Sequence, residues 1–230
     1  MTAPAVAPLG TELLDDPDAD PAVVARSLTH IARANWWFGG RAAALWGIDQ
    51  LLRDVGARDA VTLLDVGTGA GDLPVAAVRR AAGRGRRMRA LGLERSPVAA
   101  ALATARGVPT VLGCAAHLPV REGAVDIILL SQVVHHLAAD AVVDLFRAVS
   151  RLARIGVVVA DLRRSELAVA GFRVGSALLG FDAVTRADGI TSVRRGYRAG
   201  ELAALTARAG QSARVAHRPG FRLVAYWSTS

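Results

Sequence analysis

Leu63-Leu64-Asp65-Val66-Gly67-Thr68-Gly69-Ala70-Gly71-Asp72 is the stretch on which the fold turns. With Val61 and Thr62 in front, it begins as a short, almost wholly apolar run, the pattern of a strand buried on both faces. Three alternating glycines follow, and a helical pattern resumes from about Leu73 to Ala82. A tight strand-to-helix turn needs fewer glycines than three in five residues. The surplus lets backbone approach a ligand closely at the carboxyl end of the first strand. Dinucleotide-binding enzymes place the third glycine three positions after the second, whereas here the spacing is Gly67-x-Gly69-x-Gly71.

Outward from this stretch the pattern alternates. Strands are expected at Arg89 to Leu93, Pro109 to Leu112, Val125 to Leu130 and Ile155 to Ala160, with helices at Val98 to Ala105 and Ala139 to Leu152. Strand–helix alternation implies a parallel sheet covered on both faces. The end of the chain departs from it. After a helix at about Glu201 to Ala209, strand patterns at Ser212 to Ala216 and Phe221 to Trp227 are separated only by His217-Arg218-Pro219-Gly220, too short for a parallel crossover. They predict an antiparallel hairpin at the sheet's edge. Ahead of the first strand, Val23, Val24, Leu28 and Ile31, and then Ala44, Leu45, Ile48, Leu51 and Leu52, recur at helical spacing around Asn35-Trp36-Trp37-Phe38-Gly39-Gly40. The division expected is a flexible tail over residues 1–20, a helical cap over 21–56 and one α/β core over 57–230, in a doubly wound, Rossmann-like sheet.

Composition narrows the function. The net charge is +8 and the pI near 11.2, yet all 28 basic residues are arginine, the signature of a GC-rich coding bias rather than of a phosphate-binding surface. The densest cluster, Arg79, Arg80, Arg84, Arg86, Arg87 and Arg89, straddles a glycine-containing loop without interleaved aromatics and reads as solvated, so no nucleic-acid partner is expected. One cysteine, Cys114, excludes an intramolecular disulfide. No apolar run reaches the ~20 residues of a membrane span, and the first ten residues lack the pattern of a signal peptide. A cytoplasmic protein acting on a small molecule is the expectation, with a homodimer left open.

The glycine spacing, with Asp65 two residues ahead, resembles motif I of the class I S-adenosylmethionine-dependent methyltransferases, and the resemblance runs in order through most of the chain. Leu91-Gly92-Leu93-Glu94-Arg95-Ser96-Pro97 is similar to the second motif, whose acid accepts both ribose hydroxyls. Gly113-Cys114-Ala115-Ala116-His117-Leu118-Pro119 is similar to the adenine-binding segment, with Cys114 where the family usually carries Asp. Val125 through Ser131-Gln132-Val133-Val134-His135-His136-Leu137 is similar to the fourth-strand motif that floors the active site, and Gly71-Asp72-Leu73 to a feature of quinone-biosynthesis methyltransferases. The resemblance implies a seven-stranded sheet of order 3-2-1-4-5-7-6. It also implies S-adenosylmethionine as cofactor, S-adenosylhomocysteine as product, and a cofactor site made of Asp65, Gly67, Thr68, Gly69, Gly71, Glu94, Arg95, Cys114, Ala115, Ser131 and Gln132.

The aromatic–glycine segment of the cap and the stretch from Val184 to Tyr197 look like those of small bacterial methyltransferases found beside phenolic-lipid and type III polyketide enzymes. That narrower likeness implies an aromatic or apolar acceptor methylated on a phenolic hydroxyl, with Trp37, His30, Arg194 and Tyr197 as substrate contacts. A phenol has a pKa near ~10 and a free histidine roughly 6.5, so a positioned imidazole can take the proton as attack begins. His136 is the first candidate for that base, His135 the second and His30 a third. Asp161, at the end of strand five, could bind a metal as in catechol methyltransferases, but no companion Asp-Asn pair accompanies it and no metal is expected. Two other readings stay open: a non-methylating member using the cofactor structurally, in cyclisation, rearrangement or as a scaffold, and an NAD(P)-dependent oxidoreductase, which the glycine spacing opposes.

Overall fold

Val61, Leu63, Leu64 and Val66 are all buried, which fits a strand with a helical layer on each side. In the computed structural model, which describes residues 12–16, 18–53, 55–56 and 60–229, this strand, β1 (Val61–Val66), is the centre of the sheet. It is followed by α3 (Asp72–Ala82), β2 (Met88–Glu94), α4 (Pro97–Ala105), β3 (Thr110–Leu112), β4 (Val125–Ser131), α5 (Ala139–Leu152) and β5 (Ala153–Leu162). The chain ends in α8 (Ala199–Arg208), β6 (Arg214–Arg218) and β7 (Arg222–Ser228). The sheet order is β3-β2-β1-β4-β5-β7-β6. Pairings among β1 to β5 are parallel, while β7 runs antiparallel to both β5 and β6. The sheet expected from the sequence is therefore the one present, hairpin included.

Two apolar layers hold it. Val142, Phe146 and Val149 of α5 and Leu202 and Leu205 of α8 pack on Leu64, Val66, Ile128, Leu130, Val157 and Val159. On the opposite face Leu73, Ala76 and Ala77 of α3 meet Leu63, Ile127 and Leu129, joined by Ala43, Ala44, Leu45 and Ile48 of α2 (Gly40–Leu51). Helix α2 thus covers the sheet itself. Helix α1 (Pro21–Trp37) starts at an Asp20 N-cap followed by Pro21 at the first helical position. It runs through Asn35, Trp36 and Trp37 before the chain breaks at Gly39, whose φ is 76°.

Two helices between β5 and the terminal hairpin were not expected. Helices α6 (Glu166–Leu178) and α7 (Ala183–Arg195) pack on each other, and α7 touches α1 and the turn at residues 134–136. With α1 they roof the carboxyl ends of the strands. Of the tail expected over 1–20, residues 1–11 and 17 lie outside the described residues. The described part, Glu12 to Asp16, is fastened to α7, with the Leu13 amide donating to Asp188 at 3.0 Å and Ser192 Oγ donating to Glu12 at 2.8 Å.

Candidate active site

All three glycines after β1 adopt left-handed φ values, 72° at Gly67, 55° at Gly69 and 78° at Gly71. At Gly67 a Cβ would also stand 2.5 Å from Val133 Cγ2, so both conformation and space demand glycine there. The loop is clamped to the end of β2 by Glu94. One oxygen accepts the Gly69 amide at 2.8 Å, and the other accepts the amides of Arg95 at 2.8 Å and Ser96 at 3.0 Å. Beneath the loop, Thr68 Oγ1 donates to Asp65 Oδ2 at 2.9 Å, while Asp65 Oδ1 is buried without a protein partner. Burial pushes the Asp65 carboxyl up to about 8, the Thr68 hydroxyl opposing and the charges of Asp72 and Glu94 adding to it.

From this loop a cleft of about 340 Å³ runs along the carboxyl ends of β1, β2 and β4 to the roof helices. A polar chain crosses its floor. Buried Arg222, at the start of β7, donates to Gln132 Oε1 at 2.9 Å and to the Phe38 carbonyl at 3.0 Å. Gln132 Nε2 donates to Asn35 Oδ1 at 2.6 Å, and Asn35 Nδ2 reaches Asp72 at 3.4 Å. Burial pulls the Arg222 guanidinium down to about 10 and raises the Asp72 carboxyl. The chain of bonds holds Gln132 at a φ of 56°, a conformation that costs a non-glycine residue free energy and is kept by its surroundings.

The adjacent histidines after β4 have separate environments. His135 turns inward: its Nδ1 lies 2.7 Å from Asp161 Oδ1, which also accepts the Leu162 amide at 2.7 Å. Both side chains are buried, and His135 Nε2 has no protein partner. Burial works against charge on both groups, but each stabilises the other's charged form. The net result raises the His135 imidazole above its ordinary value and lowers the Asp161 carboxyl. His136 turns toward the roof, its Nδ1 3.4 Å from Arg195 and its Nε2 3.9 Å from Glu12, which is itself paired with Arg195 at 3.1 Å. Ligand atoms of Glu12, His135 and His136 lie within 4.8 Å of one another. The Arg195 guanidinium on Glu12 places a cation there already, which disfavours a metal ion.

Asp65, Gly67, Thr68, Gly69, Glu94, Arg95, Cys114, Ala115, Ser131, Gln132, His135 and His136 all line the cleft. Gly71 closes the glycine loop, its amide bonded to the Thr68 carbonyl at 3.0 Å. The four residues expected to touch substrate do not line it. Trp37 is 64% exposed, because α1 continues through it and turns it outward. His30 is a staple between α1 and α7, stacked on Phe181 and 3.2 Å from Thr185 Oγ1. Arg194 is exposed on α7, whereas its neighbour Arg195 pairs with Glu12 beside His136. Tyr197 donates to the Val134 carbonyl at 2.8 Å and supports the histidine turn from below; burial raises its phenol pKa. The sequence reading missed Asp161 as the partner of His135, and it missed Glu12, Asn35 and Phe172 in the cleft wall. Asp161 carried a sequence signal, a carboxylate ending an apolar strand next to a histidine-bearing strand. The others carried none.

Residues 64–160 match the family model described as a methyltransferase domain. No curated protein sequence matches the chain. Among solved structures it is similar to a SAM-dependent methyltransferase from Aquifex aeolicus, at 15% identity over 92% of this chain and 99% of that one, with a TM-score of 0.62. It is similar to the plantazolicin methyltransferase in complex with S-adenosylhomocysteine, at 13% identity over 94% and 93% of the two chains, TM-score 0.69. A third likeness is to a putative O-methyltransferase from Nostoc punctiforme, at 17% identity over 97% of this chain and 64% of that longer one, TM-score 0.63. With the domain match spanning β1 to β5 and the seven-stranded order complete around it, residues 64–160 match a methyltransferase domain and the chain shares the fold of the S-adenosylmethionine-dependent methyltransferases it is similar to.

Proposed function

We propose that this protein transfers the methyl group of S-adenosylmethionine to a hydroxyl of a small aromatic acceptor, with His135 as general base and Asp161 as its positioning partner. The observation that carries the reading is the lone unpartnered nitrogen of His135. It is buried, borders the cleft, and belongs to a ring whose other nitrogen is held by a carboxylate. A buried polar atom left without a protein partner costs free energy, and an acceptor hydroxyl would supply the partner.

The cofactor end fits the donor's chemistry. The three left-handed glycines, which carry no side chains, admit close approach, the orphaned Asp65 oxygen suits an ammonium group, and Glu94 retains acceptor capacity for ribose hydroxyls. S-adenosylmethionine, when bound, supplies an electrophilic methyl on a sulfonium that leaves as a neutral thioether. The residues therefore have two tasks, alignment and removal of one proton. His135 Nε2 takes the acceptor's hydroxyl proton as the new bond to the methyl carbon forms, and Asp161 stabilises the resulting imidazolium. The roof helices and Glu12 to Leu14 exclude water. His136, bound up with Arg195 and Glu12, shapes the acceptor chamber. Phe172, Leu137, Leu162 and Val193 supply apolar walls, in keeping with an aromatic ring. A cytoplasmic setting suits a chain whose one cysteine, Cys114, is a free thiol.

The test is methyl transfer from labelled S-adenosylmethionine to a panel of phenols by wild type and His135→Ala. Loss of turnover by ~10²–10⁴-fold, with donor affinity by calorimetry unchanged, is the expected result. Undiminished turnover in a folded His135→Ala, or a loss confined to His136→Ala, would overturn the assignment.

A further inference from the structure

Helix α6 is amphipathic in the wrong direction. Its buried side is narrow, formed by Ala168, Val169 and Ser176. Its outward side carries Leu167, Ala170, Gly171, Val174, Ala177 and Leu178, at spacings that put all six on one face, and all six are exposed. Leu167 is 72%, Val174 63% and Leu178 84% exposed. The stripe extends roughly 16 Å along the helix. It does not end with the helix. Phe38 packs on Phe172 and against Gly175, and Arg33 donates to the Leu179 carbonyl, so the end of α1 adjoins the carboxyl half of α6. Trp37, one turn after Arg33, and Trp36 are both more than half exposed there.

We infer that this face is a docking surface for an anionic lipid bilayer. Charge on the elements framing the stripe is complementary to such a surface. Arg33, Arg41, Arg173 and Arg186 stand against Glu166 as the exposed acid of α6, since Asp182 is engaged by Arg26 and His30. Tryptophans at the rim of an apolar face, with arginines around them, are the composition that settles at the boundary between headgroups and acyl chains. The arrangement also has geometric sense: the opposite side of α6 presents Phe172 to the cleft, so the docked helix would lie between bilayer and acceptor chamber. No helix among the described residues is long and apolar enough to cross a membrane, so the contact would be peripheral. The inference is independent of the methyl-transfer reading, and its test does not use activity.

The experiment is co-sedimentation of the full chain with vesicles of phosphatidylcholine alone and of phosphatidylcholine mixed with phosphatidylglycerol, with tryptophan emission recorded in parallel. Wild type should partition at least tenfold more strongly onto the anionic vesicles, with emission moving to shorter wavelength and binding falling as salt is raised. Val174→Glu/Leu178→Glu, which alters exposed side chains only, should lose at least tenfold in partitioning while its melting temperature stays the same. Absence of wild-type binding to anionic vesicles, or undiminished binding by the variant, would overturn the proposal. So would a wild-type dimer in light scattering that the variant dissociates, because the face would then belong to a second copy of the chain.

Discussion

Asp161→Asn separates charge from geometry at the proposed base. Asp161 Oδ1 accepts two donors, His135 Nδ1 and the Leu162 amide, each at 2.7 Å, while Oδ2 is buried without a partner. An asparagine must therefore place its oxygen at the Oδ1 position and its NH₂ where Oδ2 was. The His135 tautomer and ring orientation survive, and only the negative charge is removed. Burial lowers the His135 pKa, and the charge and hydrogen bond of Asp161 are what raise it above 6.5. With the charge gone, burial prevails and the pKa drops below that value. The acid limb of the rate profile should then move to lower pH, each unit corresponding to ~1.4 kcal/mol of lost preference for the imidazolium. A weaker base with an unsupported imidazolium should cut plateau turnover by roughly 10–100-fold. The assay is initial-rate methyl transfer to a phenol from about pH 5 to 9, with donor affinity measured alongside. A flipped amide would instead hold the wrong tautomer and cost on the order of 10⁴. An acid limb that stays in place with turnover intact would refute the dyad.

Glu94→Ala should weaken S-adenosylmethionine binding at least tenfold, since charge-assisted bonds contribute roughly 1.5–3 kcal/mol each. It should also release the Gly69 amide, which hydrogen exchange would detect as faster local opening. Asp65 holds a proton in the folded state up to about 8 but only to 3.8 when unfolded. Between these values the native state binds more protons, so stability falls as pH rises, and Asp65→Asn should flatten that slope in melting curves. The His135–Asp161 pair acts oppositely at its two ends. The Asp161 contribution is lost as pH falls through its lowered pKa, and the His135 contribution is lost as pH rises through its raised one. His135→Ala should therefore lose most stability relative to wild type between the ordinary values of 3.8 and 6.5. Gly67→Ala, at a φ of 72° and with Val133 2.5 Å from the new methyl, should abolish donor binding, whereas Gly200→Ala, in α8 at an ordinary φ with open space around it, should bind normally in the same titration.

The strands and their order were legible because central parallel strands are buried on both faces. Polar residues fall near their ends, as Thr62 and Asp65 do in β1 and Asp126 in β4, leaving recognisable apolar runs, and the glycines mark where the first one ends. The turn His217 to Gly220 is too short for a crossover, which made the hairpin inevitable. The glycine loop was legible for the same local reason, since its conformation is set by backbone within one strand-turn-helix unit. The roof was not. In α6 the longer apolar face points to solvent, and α7 mixes Thr, Asp and Gly with arginine, so neither shows the periodicity of a helix covering a core. The acceptor end depended on contacts between residues far apart in the chain. That His135 and His136, both on the cleft, have different partners could not be read from their adjacency. The difference comes from Asp161, 26 residues away on the neighbouring strand, which holds His135, and from the Glu12–Arg195 pair beside His136. Trp37 looked like a substrate contact in a glycine-rich loop and lies on the surface because α1 reaches as far as it and turns it outward. Local sequence determined the strands and the glycine loop; only the packing of distant elements placed the roof and decided which side chains meet in the cleft.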